Sequence, residues 1–103
     1  MAQSISLHQT LDIGEEKSIL VKFVAPHCSG CVTIKPLLEQ LTREQSEVLH
    51  LVEIDITEEP ELAMELDVRS VPTVALFKQE QELGRLVGLQ PKKHYANLVQ
   101  QAV

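Results

Sequence analysis

The chain of 103 residues is poor in aromatic side chains, with no tryptophan, one tyrosine and two phenylalanines. Single-strand nucleic-acid binders stack bases on aromatic platforms, and Phe23, Phe77 and Tyr95 are too few to build them. Basic residues are also scarce, 9 against 15 acids, so the formal charge of -6 is opposite in sign to the footprint of a phosphate-backbone binder. Nucleic acid is excluded as a partner on both counts. No apolar run approaches the roughly 18 consecutive residues that a membrane span needs. Met1 to Gly14 has neither a basic leader nor an apolar core of the kind export signals carry. A cytoplasmic location without a membrane partner is the expectation. Cysteine is limited to two residues, too few for a disulfide scaffold or a four-cysteine zinc site within one chain, and no metal is expected.

What is present is enough for one core. Hydrophobic residues make up 44% and charged residues 23%, which sets the chain apart from disordered sequences. Its length leaves no room for a second core, so a single domain over residues 1–103, working as a monomer, is expected. With so few aromatics that core must be aliphatic.

Ser18 to Ala25 is β-branched and almost continuously apolar, the pattern of a strand covered on both faces. Pro26 stops it. After the cysteines, Val32, Ile34, Leu37, Leu38 and Leu41 recur at helical spacing, with Pro36 predicting a kink inside that helix rather than a break. Val48 to Ile56 reads as a second buried strand. Glu58, Glu59 and Pro60 suit the start of a short helix, Pro60 to Leu66, and the acidic run Glu58, Glu59 and Glu61 reads as its solvated face. Val71 to Phe77 reads as a third strand opening at proline, where the missing donor does no harm. Glu82 to Val87 reads as its antiparallel partner. The intervening Gln79-Glu80-Gln81 has no glycine, which predicts a longer or wider turn. Gly88 and Pro91 punctuate the chain before a terminal helix, Lys92 to Val103, marked by Tyr95, Leu98, Val99 and Ala102. Leu7, Leu11 and Ile13 fit an edge strand or a short helix. The order predicts an α/β fold, a central mixed β-sheet flanked by helices on both faces, with the first two strands parallel. Ligand chemistry in such folds gathers at the carboxyl ends of the strands, where Cys28 falls.

The two cysteines are three positions apart in Cys28-Ser29-Gly30-Cys31. At a strand-to-helix junction Cys28 lies beside unpaired backbone N–H groups and the positive end of a helix dipole, which favour a thiolate, the attacking species in disulfide exchange. The two-residue spacer lets Cys31, on the first helical turn, reach the sulfur of Cys28, so a mixed disulfide can be resolved within the chain. Two inert structural cysteines, or metal binding with His27, are the competing readings of the same spacing.

These residues resemble the thioredoxin family. The resemblance runs from Ile19 to Val99 and comprises Val21 to Cys31, Pro36, the strand ending in Asp55, Val68-Arg69-Ser70-Val71-Pro72-Thr73, Phe77-Lys78 and Val87-Gly88. It implies that Cys28 is the nucleophile and Cys31 the resolving thiol. It also implies that Val71-Pro72 is a cis peptide facing the cysteines, aiming the backbone of Val71 at an extended substrate that pairs with it like an added strand. Gly88 then leaves room on the same surface; without the resemblance it reads as a turn before Pro91.

The chain departs from the family pattern in places that bear on chemistry. His27 stands where the family typically has tryptophan, and a protonated imidazole there would stabilise the thiolate of Cys28. Ser29-Gly30 replaces the common Gly-Pro pair and loosens the turn. Lys22 occupies the place of a buried aspartate to which the family assigns a proton relay, and Glu53 that of a neighbouring lysine. Glu53, or Lys22 in its neutral form, is therefore read as the relay for Cys31, against a snorkelling Lys22 with solvent as the relay.

The function expected from residues and resemblance together is a protein-disulfide oxidoreductase, acting as a reductase through Cys28 and Cys31 with no bound cofactor. Its expected partners are target proteins with disulfides and an NADPH-dependent flavoprotein thioredoxin reductase or another thiol reductant. Two narrower readings stand beside it. One is a module dedicated to a single flavin reductase with narrow targets. The other is a non-catalytic thioredoxin-fold adaptor, which partner binding that survives Cys28→Ser and Cys31→Ser would single out.

Overall fold

The structure is a computed structural model of the chain and describes residues 17–79 and 81–102. The strand or helix expected around Leu7, Leu11 and Ile13 lies outside the described residues. The elements run β1 (Ser18–Val24), α1 (Ser29–Glu44), β2 (Leu49–Asp55), α2 (Pro60–Glu65), β3 (Thr73–Lys78), β4 (Gln81–Val87) and α3 (Lys92–Gln100). The four strands form one sheet in the order β2-β1-β3-β4. β1 runs parallel to β2 and antiparallel to β3, and β3 runs antiparallel to β4. This is the expected mixed sheet, with α1 linking the two parallel strands.

β1 is hydrogen-bonded on both sides, and both of its faces are covered. Ile19, Val21 and Phe23 pack with Ile54, Ala75, Phe77 and Ala63 and Val68 of the α2 segment. Leu20 points the other way, into a cluster with Leu49, Val74 and Leu76 from the sheet, Ile34 and Leu38 of α1, and Tyr95, Leu98 and Val99 of α3. That division is why β1 lacks the apolar-polar alternation of a half-exposed strand. Ile19, Leu20, Val21 and Phe23 have no exposed surface at all, and burying each contributes about 1.5–3 kcal/mol relative to leaving it in water.

Three features differ from what spacing alone predicts. Val32 does not join the apolar face of α1: it is 72% exposed, whereas Ile34 and Leu38 are buried. Cys31, the residue before Val32, takes the buried position of the first turn, and Val32 lines an open cleft instead. The β3–β4 hairpin is tight rather than wide, since Lys78 pairs directly with Gln81. Gln79 takes the positive φ of 57° that glycine would otherwise supply, and the irregularity moves into the strands, where Leu76 faces Gly84 and Phe77 faces Glu82, leaving Leu83 as the extra residue of a bulge. α3 ends at Gln100 rather than at the chain end, although Ala102 is still buried. Pro36 lies exposed within α1, which continues unbroken to Glu44.

Glu58, Glu59 and Glu61 are exposed around the start of α2, with Pro60 as its first residue. Its other end is held by Arg85 of β4. The guanidinium donates to the carbonyls of Leu66 at 2.7 Å and Asp67 at 3.1 Å, and forms a two-point pair with Glu82 at 2.6 and 2.7 Å. Hydrogen bonding to Glu82 raises the pKa of Arg85 further, so the clamp stays charged at any working pH. No helix among the described residues is long and apolar enough to cross a membrane.

Two outcomes follow for stability. Arg85→Ala removes all four donors and leaves the end of α2 uncapped, so denaturant titration should show a loss of about 2 kcal/mol. Asp55, at the end of β2, accepts from the Thr57 hydroxyl at 2.6 Å and the Thr57 N–H at 2.8 Å, and these bonds hold its pKa below the ordinary 3.8. A carboxylate depressed on folding stabilises the protein above its unfolded pKa, and that contribution is lost as pH falls through the lower folded value. Asp55→Asn should therefore flatten the stability curve below about pH 4.

Candidate active site

The carboxyl end of β1 delivers the site. Past Val24 the chain passes through Pro26 and His27 and turns into α1, with His27 in the left-handed region at φ 63°. That conformation is uncommon for a residue with a Cβ, although histidine is among those that adopt it more readily. Cys28 follows as the N-cap of α1, extended at φ -99° and ψ 100°, and its Sγ accepts the backbone N–H of Cys31 at 3.1 Å. A sulfur in the N-cap position thus receives one of the helix donors that no carbonyl can satisfy, at the positive end of the macrodipole. Both influences favour the thiolate over the thiol.

Cys28 and Cys31 form a disulfide, with Cα atoms 5.3 Å apart. The two sulfurs are not equivalent. Cys28 keeps partial exposure, while Cys31 is 6% exposed beneath it. An open cleft of about 600 Å³ runs beside the pair, lined by Lys22, His27, Cys28, Cys31, Lys35 and Glu53 among others. His27 is exposed on this cleft and makes no side-chain hydrogen bond or ion pair with the described residues.

Lys22 is the one charged residue of β1, and its side chain is only 5% exposed. It faces Glu53 across the parallel β1–β2 pairing, and Lys22 Nζ meets Glu53 Oε1 at 3.0 Å. The carboxylate of Glu53 is 57% exposed. The two groups are thus placed unequally. Lys22 does not snorkel to water, and Glu53 is not internal. A buried ammonium reaches up to an anion at the surface, which offsets the cost of burying it.

Val71-Pro72 is a cis peptide, as the resemblance implies. Pro72 is buried against the cysteine turn: a Cβ on Gly30 would lie 3.0 Å from Pro72 Cδ and 3.9 Å from Leu89 Cβ. Gly88 lies beside it, its N–H donating to the Pro72 carbonyl at 2.8 Å. A Cβ on Gly88 would meet nothing within 4 Å, so space does not demand glycine there; the φ of +77° does. The structure thus gathers Cys28, Cys31, His27, Lys22 and Glu53 around one cleft, and sets Pro72 and Gly88 beside the cysteine turn. Spacing gave no notice of Leu89, 57% exposed, or of the exposure of Val32 and Val87. An apolar residue outside any periodic pattern, as Leu89 is between Gly88 and Pro91, was the only signal.

A reversible dithiol couple, one sulfur accessible and one buried at a strand-to-helix junction, is the working centre of a thiol-disulfide oxidoreductase acting through Cys28 and Cys31. Comparison with known proteins agrees. The thioredoxin family model matches residues 5–101, and the chain belongs to the thioredoxin family. It is 33% identical over 81 residues to thioredoxin from Staphylococcus saprophyticus, covering 79% of this chain and 78% of that one. Over 82 residues it is 35% identical to NADPH-dependent thioredoxin reductase 3 of Arabidopsis thaliana, covering 80% of this chain but 16% of that protein. Among solved structures, the germline-specific thioredoxin Deadhead of Drosophila melanogaster superposes with a TM-score of 0.83 over 100% of both chains at 24% identity, a likeness of fold.

The difference in exposure has a measurable consequence. In the reduced protein at pH 7, iodoacetamide should modify Cys28 about tenfold or more faster than Cys31, read by mass spectrometry of the quenched digest. Equal rates would show that the burial of Cys31 does not persist in the dithiol.

Proposed function

We propose that this oxidoreductase works as a reductase. The Cys28 thiolate attacks one sulfur of a target disulfide, and the other target sulfur leaves as a thiolate and takes up a proton. Cys31 then loses its proton and attacks Cys28 Sγ, releasing the second target thiol and closing the Cys28–Cys31 disulfide. Two electrons have passed to the target, and an NADPH-dependent flavoprotein, or another thiol reductant, returns them. The observation that carries this reading is the placement of Cys28 at the N-cap with Cys31 buried one turn on. The outer sulfur is the one a macromolecular disulfide can reach, so Cys28 is the nucleophile and Cys31 the resolving thiol.

Val71, Pro72 and Gly88 hold the substrate, the backbone of Val71 pairing with an extended target segment. The contact of Pro72 with Gly30, and the Gly88 N–H that donates to the Pro72 carbonyl, support this role. His27, on the cleft beside Cys28, stabilises its thiolate when protonated. Lys22 and Glu53 take the place of the relay: Lys22 passes a proton to the exposed Glu53 carboxylate, which gives it to water, and the neutral amine takes up the proton that Cys31, on the same cleft, gives up. The chain acts as a single domain and a monomer in the reducing cytoplasm, where a dithiol can be kept reduced. The match to a protein named a thioredoxin reductase supports the narrower reading too, in which one flavin reductase is the dedicated donor.

Three measurements test this. A titration against dithiol buffers should give a potential more negative than about -230 mV, among the cytosolic reductants, whereas one near -150 mV would reverse the direction of electron flow. Cys31→Ser should accumulate a mixed disulfide on Cys28 with a target protein, and Cys28→Ser should not. Glu53→Gln should shift the pH dependence of target reduction; an unchanged profile removes the Lys22–Glu53 pair from the proton path.

A further inference from the structure

The segment after β4 stands against the cysteine turn without belonging to any strand or helix. Val87, the last residue of β4, and Leu89 point outward, 52% and 57% exposed, and Gly88 between them has a φ of +77°. On one side the segment is tied to the site through the Gly88 N–H, which donates to the Pro72 carbonyl at 2.8 Å. On the other it is tied to α3. Tyr95 is 1% exposed, yet its hydroxyl points at this segment, accepting the Gln90 N–H at 3.1 Å and donating to the Gly88 carbonyl at 3.3 Å. Gln90 closes the loop on itself, its Nε2 donating to the Val87 carbonyl at 2.8 Å while its Oε1 meets His94 Nδ1 at 3.1 Å.

A buried phenol needs partners for its hydroxyl, and phenylalanine would fill the same core space without that requirement. Here the hydroxyl's partners are both backbone groups of the segment beside the active site. Gly88 is thereby held at both ends of its own residue, its N–H by Pro72 and its C=O by Tyr95.

We infer that Tyr95 is a positioning residue for the disulfide-exchange reaction. Its hydroxyl sets where Gly88 and Leu89 stand beside Pro72, and so sets affinity for extended protein disulfides, but not the reactivity of the cysteines. The inference rests on the substrate-holding role proposed above for Val71, Pro72 and Gly88. Fixing the loop in advance lowers the ordering cost that a bound chain must otherwise meet.

The test compares a protein disulfide, insulin, with a small one, hydroxyethyl disulfide, that makes no strand-like contact. Tyr95→Phe should raise KM for insulin about fivefold, the effect of losing one or two hydrogen bonds, and leave kcat for insulin, the rate with hydroxyethyl disulfide and the Cys28–Cys31 potential unchanged. Gln90→Ala, on an accessible loop, should raise KM in the same direction and keeps the test open should Tyr95→Phe fold poorly. Leu89→Asp places a charge on the docking surface itself. If it raises KM for insulin while Tyr95→Phe and Gln90→Ala do not, the role of Tyr95 is overturned and the docking surface stands. If Leu89→Asp has no effect either, the docking surface fails and the inference with it. Equal losses with both substrates in Tyr95→Phe would mark a general structural defect and also overturn it.

Discussion

Everything at the active site depends on β1 being pinned on all four sides. It has a strand bonded to each edge and a packed cluster on each face, with four of its side chains wholly out of water. A strand so enclosed cannot slip by one residue, because a slip would turn Ile19, Val21 and Phe23 into the cluster that Leu20 occupies and move Lys22 to the opposite face. The position of Cys28 is inherited from this constraint. Four residues after β1 ends, the sulfur stands at the head of α1 and takes a hydrogen bond from Cys31 N–H. The accessible sulfur and its buried partner are thus fixed by packing well below them.

The same enclosure gives Lys22 its meaning. A lysine in the middle of a buried strand would ordinarily destabilise it, yet the parallel register brings Glu53 opposite, and the ion pair at 3.0 Å compensates the ammonium from the solvent side. When the disulfide is reduced, negative charge develops at sulfurs that share a cleft with this cation and with Lys35. The sign is the reverse of what a carboxylate at the position of Lys22 would present, and the proton path through the pair proposed for Cys31 is where that reversal has its chemical consequence.

On the far side of the cysteines the surface is assembled from three loops that have little to do with one another in sequence. Gly30 lies against Pro72, Pro72 accepts from Gly88, and Gly88 is held in turn by Tyr95 of the last helix. Val87 and Leu89 remain exposed beside them, apolar side chains that the core does not need. A surface of that kind suits the substrate-holding role proposed for it.

Much of this was legible from residue order alone. The continuous apolar run of β1, the two-residue spacer between the cysteines and the punctuation at Pro60, Pro72 and Gly88 determined an α/β sheet with a redox pair at a strand end, because those signals are local and do not depend on what packs against them. Lys22 and Glu53 could be named as a pair from the resemblance, but not which of them is buried. That depended on strand order, since register only sets the two opposite each other, while among the described strands β1 lies between β2 and β3 and β2 at the end of the row. The exposure of Val32, the tight hairpin with its bulge at Leu83 and the bonds from the hydroxyl of Tyr95 to Gly88 and Gln90 were likewise decided only by tertiary structure. Each is a contact between segments distant in the chain or a departure from periodicity at an element's end, and helical or strand spacing records which face a residue lies on, not what covers that face or where its polar atom finds a partner.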